Sequence, residues 1–312
     1  MTQTNTIRAE ILLATYNGQA HLREQLDSIM AQRDGRWHLT VSDDGSTDET
    51  PAIIDEYVRR YPDRISRYRS GKRFGNARDH FFHLAGRCGA EYMLFCDQDD
   101  VWYPDKVGKT LSALIGAEER FGAETPILAF SDQTPTDAAL NPLAPSLMRY
   151  QKQSFECFDW RGILMQNVVT GGAMGVNRAL VALGAPKGDA AGVIMHDWWY
   201  AAVAARFGQI VYIDEPLGAY RQHAGNAVGA KNVGSMAYVR KKLGAPREVR
   251  RSIVRKKRQA RAFQSAYEGM LTADDIAFLR AFGRTWSGPL FWARYQSLIY
   301  GAARKVGMLV LC

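Results

Sequence analysis

The stretch Tyr92-Met93-Leu94-Phe95-Cys96-Asp97-Gln98-Asp99-Asp100-Val101-Trp102 decides the fold. An apolar run, read as a buried strand over residues 90–96, stops abruptly at three carboxylates. Like charges crowded onto one strand end repel one another, and they are tolerated where water solvates the end or a cation neutralises it. Carboxylates spaced Asp-x-Asp are hard oxygen donors that suit Mg²⁺ or Mn²⁺ carrying a phosphate group. That points to chemistry on a nucleotide diphosphate. A plainer possibility is a turn whose aspartates cap the next helix, and the flanking sequence decides between the two.

Outward from this stretch, strands and helices alternate. Residues 7–14 (IRAEILLA) form an expected buried strand ending at the turn Thr15-Tyr16-Asn17-Gly18. Leu22, Leu26, Ile29 and Met30 then recur at a helical period within 19–32. Trp37–Ser42 is a second strand, ended by Asp43-Asp44-Gly45-Ser46, and a helix runs from about Thr47 to Arg60. Residues 74–87 are helix-like around Phe81, Phe82 and Leu84. Such β-α-β-α alternation implies an α/β fold with a mostly parallel sheet and helices on both faces. Ligands of such sheets bind beyond the carboxyl ends of the strands, where ATYNG, SDDGSTD and CDQDDVW all fall. Further on, strands are expected at 127–131, at 167–176 with a break at Gly171-Gly172, and at 209–214. Residues 141–159 read as loop-rich, and a helix begins near Asp197.

Composition excludes several classes. With 46% hydrophobic and 23% charged residues the chain is globular, and no stretch of 18 apolar residues offers a membrane span. The N-terminus shows no signal-peptide core. Cys88, Cys96, Cys157 and Cys312 have neither disulfide nor zinc spacing, which fits a reducing compartment. There is no Walker-type phosphate loop, no GxGxxG after a strand, no HExxH and no GxSxG. The net charge of +8 is uneven: residues 239–261 carry 11 Lys/Arg against Glu248, a local +10, so the remainder sums to −2. A basic segment on a slightly acidic body suggests a docking surface for something anionic.

The order ILLATYNG, VSDDGSTD, CDQDDVW, TGGAMGVNR and MHDWW resembles family 2 glycosyltransferases over residues 7–229. FCDQDDVW together with YRQHAGN is most similar to the bacterial rhamnosyltransferase-like branch. The resemblance implies the GT-A (Rossmann-like) fold, a nucleotide-sugar-binding domain over 1–230, and a helical C-terminal segment over 231–312. It places Thr15, Tyr16 and Asn17 on the nucleotide. Of Asp43 and Asp44, Asp44 is favoured to accept from N3–H of uracil or thymine, a donor that cytosine lacks. It assigns Asp97 and Asp99 to the metal, Asp99 the more directly, with Asp97 and Gln98 also facing the nucleotide sugar. His223 is expected to complete the metal shell, and Arg73, Asn76, Arg78 and Arg221 to face the base or phosphates. Asp197 matches the general base of an inverting transfer. Gly171, Gly172, Trp198 and Trp199 are expected around the acceptor.

The cofactor implied is Mn²⁺ or Mg²⁺. The donor implied is a dTDP- or UDP-sugar, with dTDP-L-rhamnose favoured over a UDP-hexose. The acceptor implied is a glycan, such as growing O-antigen, or one linked to polyprenyl diphosphate. Basic residues around sparse Leu243, Val249, Ile253 and Val254, followed by an aromatic-rich end, suit helices lying on an anionic leaflet. The expected place is therefore cytoplasmic, peripheral on the inner face of the membrane. Packing on the catalytic domain or on a second subunit would account for the same pattern. Nucleic acid is a poorer partner, because the basic run lacks the aromatic-and-glycine motifs of RNA modules. A non-catalytic relative is disfavoured by the presence of Asp97, Asp99 and Asp197 together.

Overall fold

The computed structural model describes residues 7–153, 159–186, 192–223 and 245–284, with Phe291 and Tyr295. The first half is built on strands whose two faces are both apolar. In β1 (Ala9–Thr15), Ile11 and Leu13 join one buried cluster while Leu12 joins the other. In β4 (Tyr92–Cys96), Leu94 and Cys96 face the first cluster, Met93 and Phe95 the second. A strand buried on both faces reads as an uninterrupted apolar run, which is why these two stood out. β2 (Trp37–Asp43) pairs parallel to β1, β1 pairs parallel to β4, and β3 (Ile65–Tyr68) adds a parallel edge strand beyond β2. The first cluster lies under α1 (Leu22–Met30), α2 (Thr50–Arg60) and α4 (Lys106–Phe121). The second lies under α3 (Ala77–Arg87).

The sheet stops being parallel past β4. β5 is Val101–Trp102, β6 Ile127–Thr136, β7 Met174–Asn177 and β8 Gln209–Arg221. β7 pairs antiparallel to both β4 and β6, and β5 antiparallel to β8, while β6 and β8 run parallel. The strand order is β3-β2-β1-β4-β7-β6-β8-β5. Two expected strands prove longer, since the expected 127–131 runs on to Thr136 and 209–214 on to Arg221. Their register shifts after Ser131 and at Asp132, which lets the polar tail of β6 follow the bent end of β8. The expected strand 167–176 is a strand only from Met174, because Gly171–Ala173 forms a 3₁₀ turn. The loop-rich stretch holds α5 (Leu147–Tyr150), and α6 (Trp160–Met165) follows it.

Helices α7 (Arg178–Gly184) and α8 (His196–Phe207) cover the second face of the sheet. The described part of the C-terminal segment packs against them. In α9 (Pro246–Tyr267), Phe263 and Tyr267 lie 5.6 and 5.9 Å from the Trp199 ring. In α10 (Ala273–Gly283), a capping box on Thr272 and Asp275 fixes the first turn, and Asp275 also accepts from Arg206 at 2.8 Å. The amphipathicity of α9 is plain in its burial: Ile253, Ala260, Phe263 and Tyr267 are buried, while Arg247, Arg250, Arg251, Arg255, Arg258 and Arg261 are exposed. Residues 231–244 and most of 285–312, with the rest of the YRQHAGN motif, lie outside the described residues. No helix among the described residues is long and apolar enough to cross a membrane.

Candidate active site

The carboxyl ends of β1, β2 and β4 meet, as the sheet rule requires. Two loops interlock there. Thr15 Oγ1 donates to Asp43 Oδ1 (2.9 Å), Asn17 Oδ1 accepts from Thr47 N (2.9 Å), and Asp44 N donates to Thr15 O (2.9 Å). Asn17 turns the chain at φ +47°, a conformation that asparagine tolerates better than most residues. Gln98 clamps Tyr16 with a pair of bonds, accepting from its N–H (2.9 Å) and donating to its carbonyl (3.0 Å). Gln98 therefore braces the nucleotide loop. The Tyr16 ring stays 45% exposed, with the Arg73 guanidinium 4.9 Å from its centre, and the two form an open shelf.

The paired aspartates have different tasks. Asp43 accepts from Thr15 Oγ1, Ser46 Oγ, Gly45 N and Ser46 N, which fills all of its roughly four acceptor positions. Asp44 accepts once on each oxygen, from Phe74 N (2.5 Å) and Gly75 N (2.7 Å), and keeps acceptor capacity. Those bonds pin the loop that carries Arg73. Phe74 is further held by stacking on His80 (4.7 Å), whose Nε2 lies 2.8 Å from Ser42 Oγ. Asn76 caps α3 through Asp79 N (2.9 Å), and Arg78 is committed to Asp79 (2.8 Å) and to the Val193 carbonyl (2.7 Å). Asn76 thus holds its loop as a helix cap, and Arg78 is engaged through Nε, Nη1 and Nη2 in holding the fold, where the resemblance placed both at the base or phosphates.

The acidic turn after β4 is held from three sides. Asp100 is buried, accepts from Arg221 N (3.2 Å), and is pushed well above the usual carboxylate range by burial and by Asp99 and Asp97. Arg221, expected at the diphosphate, is buried instead: it donates to the carbonyls of Asp99 (2.9 Å) and Ala138 (2.7 Å) and pairs with Glu24 of α1. The pairing of β5 with β8, Val101 opposite Ala219, brings these distant segments together. Asp99 Oδ2 lies 2.8 Å from His223 Nε2, and the His21 ring is 4.9 Å from that of His223. Burial pushes Asp97 up to about 7, aided by repulsion from Asp99 and Asp197. Beneath the turn, Lys106 at the start of α4 is 1% exposed, and its ammonium has no hydrogen-bond partner among the described residues. It lies 4.8 Å from the Trp102 ring centre, and burial lowers it to about 8 against the pull of Asp100, Cys96 and Asp97.

Asp197 opens α8. Burial raises its carboxyl to about 7, opposed by hydrogen bonds from Trp198 N (2.6 Å) and Asn167 Nδ2 (3.2 Å) and by the dipole of the Gly171 amide. The Gly172 amide acts likewise on Asp97. Successive glycines of one 3₁₀ turn thus lie beside the two carboxylates. A Cβ on Gly172 would come within 3.0 Å of Oδ2 of both Asp97 and Asp100, and one on Gly171 within 3.1 Å of His196 Nε2. His196 is buried against Phe81 (4.4 Å) and Phe95 (5.2 Å), which drives it down to about 3, so it is neutral. The Tyr220 phenol is raised by burial and then by the charges of Asp100, Asp97, Asp99 and Asp197.

The two tryptophans part company. Trp199 is 1% exposed and donates to the Gly184 carbonyl (3.0 Å) in the core, so it does not reach an acceptor. Trp198 is half-buried, donates to the Ile163 carbonyl (2.5 Å) and has Lys256 5.9 Å from its ring. Helix α9 also fixes the segment before Asp197 directly: Gln259 Oε1 accepts from Ile194 N (2.8 Å). His21, Lys106, Tyr220 and Asn167 escaped the sequence reading. His21, Tyr220 and Asn167 acquire meaning only through a partner far along the chain, although Tyr220, as the first residue of YRQH, was a usable signal.

Among the described residues no three His, Cys, Asp or Glu side chains are grouped to hold a metal ion. The donors present still fit a hard cation. Asp97 and Asp99 are crowded oxygen donors, the imidazole of His223 adjoins Asp99, and diphosphate oxygens would supply the remaining ligands.

A curled mixed sheet with polar loops gathered at the carboxyl ends of β1, β2 and β4 is the GT-A glycosyltransferase fold. Staphylococcus aureus TarS 1–349, solved in complex with UDP-GlcNAc, matches with a TM-score of 0.57 at 12% identity over 97% of this chain and 90% of that one. A mannosyltransferase from Pyrobaculum calidifontis, PcManGT, solved with GDP-Man and Mn²⁺, matches at 0.50 and 13% identity over 98% and 88%. The chain belongs to glycosyltransferase family 2, whose model (Glycosyl transferase family 2) matches residues 10–174. It is 29% identical over 233 residues to the dTDP-rhamnosyl transferase RfbG of Shigella flexneri, covering 70% of this chain and 74% of that one. It is 27% identical over 140 residues to the putative teichuronic acid biosynthesis glycosyltransferase TuaG of Bacillus subtilis, covering 45% and 54%. The protein is therefore a glycosyltransferase.

Proposed function

We propose that the protein is a metal-dependent, inverting rhamnosyltransferase using dTDP-L-rhamnose, with a hydroxyl of a cell-surface glycan such as O-antigen as acceptor. The observation that carries the chemistry is the Gly171-Gly172 turn, which lies against Asp197 at its first glycine and against Asp97 at its second. Asp197 takes the proton of the acceptor hydroxyl as its oxygen bonds the anomeric carbon. The bond from that carbon to the diphosphate breaks, and the diphosphate leaves with the electron pair. Mn²⁺ or Mg²⁺ at Asp97, Asp99 and His223 would supply positive charge to the leaving diphosphate. Tyr16 and Arg73 offer the base a stacking surface, and Asp44 has the acceptor capacity to read N3–H of thymine or uracil. Similarity to a protein named as a dTDP-rhamnosyl transferase favours rhamnose.

The acceptor side lies by Trp198 and the segment before Asp197, against α9. The exposed arginines of α9 suit the headgroups of an anionic membrane or the diphosphate of a lipid-linked glycan. The catalytic body would thus sit on the inner face of the membrane. Calorimetry with dTDP and UDP, with and without Mn²⁺, tests the donor site, and a sugar screen follows. Metal-dependent binding of dTDP with turnover of dTDP-L-rhamnose is the expected result. Turnover of a UDP-hexose alone would replace the donor, and binding of neither nucleotide would sink the proposal.

A further inference from the structure

Asn167 precedes the Gly171–Ala173 turn, and every polar atom of its side chain is engaged. Oδ1 accepts from Val169 N (3.0 Å), and Nδ2 donates to Val169 O (2.8 Å) and to Asp197 Oδ2 (3.2 Å). The two bonds to Val169 settle which end of the amide is which, because a backbone N–H needs an oxygen and a carbonyl needs a donor. The atom aimed at Asp197 is therefore the NH₂ group. The carbonyl of Asn167 itself accepts from Gln153 Nε2 (3.3 Å), which ties the segment to the end of α5.

We infer that Asn167 is the positioning residue of the transfer reaction: its amide anchors Oδ2 of Asp197 and presents the carboxylate, ionised, to the incoming hydroxyl. The inference rests on Asp197 being the base. An N–H aimed at a carboxylate stabilises the charged form and has nothing comparable to offer the protonated one. The setting makes that contribution count, since burial alone drives the Asp197 carboxyl toward neutrality. Among the described residues no cation forms an ion pair with it. Asp97 from the β4 turn repels it, Tyr220 from β8 is a phenol held protonated, and His196 on α8 is neutral. Lys256 of α9 lies on the Trp198 ring rather than at the carboxylate. The Trp198 amide is fixed by the fold, so among the described residues Asn167 is the side-chain donor.

The test reads the carboxylate directly and needs no substrate. Carboxyl-¹³C aspartate is incorporated into the full chain, and the Asp197 resonance is identified by its loss in Asp197→Asn. Its titration is followed in metal-free buffer for wild type and Asn167→Leu, which keeps the side-chain shape without the donor. The expected result is an upward shift of the Asp197 midpoint by about one pH unit, the scale of one charged hydrogen bond. Asn167→Ala removes the same donor with less bulk and serves if the leucine variant does not fold. A midpoint unmoved in a folded variant overturns the inference. Initial rates of Asp197→Asn test the base assignment separately. Near wild-type turnover there would remove Asp197 from the chemistry, whatever the midpoint of its carboxyl does in the Asn167 variants.

Discussion

Replacing Asp197 by asparagine should stabilise the protein at pH 8 while stopping turnover. Burial lifts the Asp197 carboxyl from 3.8 to about 7. The native state therefore keeps a proton that the unfolded chain releases above about pH 4. This contribution to stability is whole below the unfolded value and is lost as pH rises through 7. A shift of about three units corresponds to roughly 4 kcal/mol at pH 8. Asp197 is only half-buried, so solvent screens part of this cost, and about 2 kcal/mol is what the substitution should recover. Asparagine matches the protonated carboxyl in shape, so the variant and wild type should melt together at pH 5. Its NH₂ must face one of the donors, Trp198 N or Asn167 Nδ2, but a protonated carboxyl has nearly the same difficulty, so that cost largely cancels between the two pH values. Thermal melts in chelator at pH 5 and 8 read the difference, expected as a rise of about 4 °C for the variant at pH 8 only. A variant no more stable at pH 8 than at pH 5, relative to wild type, would refute the picture of a carboxylate held charged against its surroundings.

Three further outcomes follow from the same geometry. Gly172→Ala places a methyl group 3.0 Å from Oδ2 of both Asp97 and Asp100. It should weaken Mn²⁺-dependent nucleotide binding about tenfold in calorimetry while costing about 1 kcal/mol of stability; unchanged metal dependence would show that Asp97 does not hold the ion. Trp199→Ala should cost about 3–5 kcal/mol in urea unfolding, because it empties the contact between α8 and α9. Trp198→Ala should instead act mainly on acceptor KM, and the reverse pattern would contradict the burial of the two rings. Asp97, raised to about 7 by burial and its neighbours, must lose its proton to bind metal. Mn²⁺ affinity should therefore fall by about tenfold for each pH unit below 7 and level off above it. An affinity constant from pH 5 to 8 would remove Asp97 from the ligand set.

Much of the donor half was legible because β1 and β4 are apolar on both faces and end in polar turns. Burial on both sides leaves an unbroken signal in sequence. β3 left none: it is four residues at the sheet edge with only Ile65 buried. The polar end of β6, Asp132–Thr136, lay beyond the expected strand, yet Asp132 and Gln133 are buried. Asp132 there accepts from the amides of Leu147 and Met148, a partnership no local pattern announces. Within the site, Asp97, Asp99 and Asp197 were visible as residue types at strand and helix ends. The tasks of Arg221, Arg78 and Trp199 were not, because charge and aromaticity fit a binding surface as well as a core. What assigns Arg221 to structure is Glu24, nearly two hundred residues away in sequence.

The ammonium of Lys106 carries one last consequence. Acidic turns built for metal commonly leave a protein dependent on that metal to fold, because nothing else offsets their mutual repulsion. Here a positive charge belongs to the chain itself, sealed under the turn before any ion arrives. The turn can therefore take shape without a bound cation, and an ion held at Asp97 and Asp99 would be left to come and go with the nucleotide. Chelation should then silence this enzyme without unfolding it.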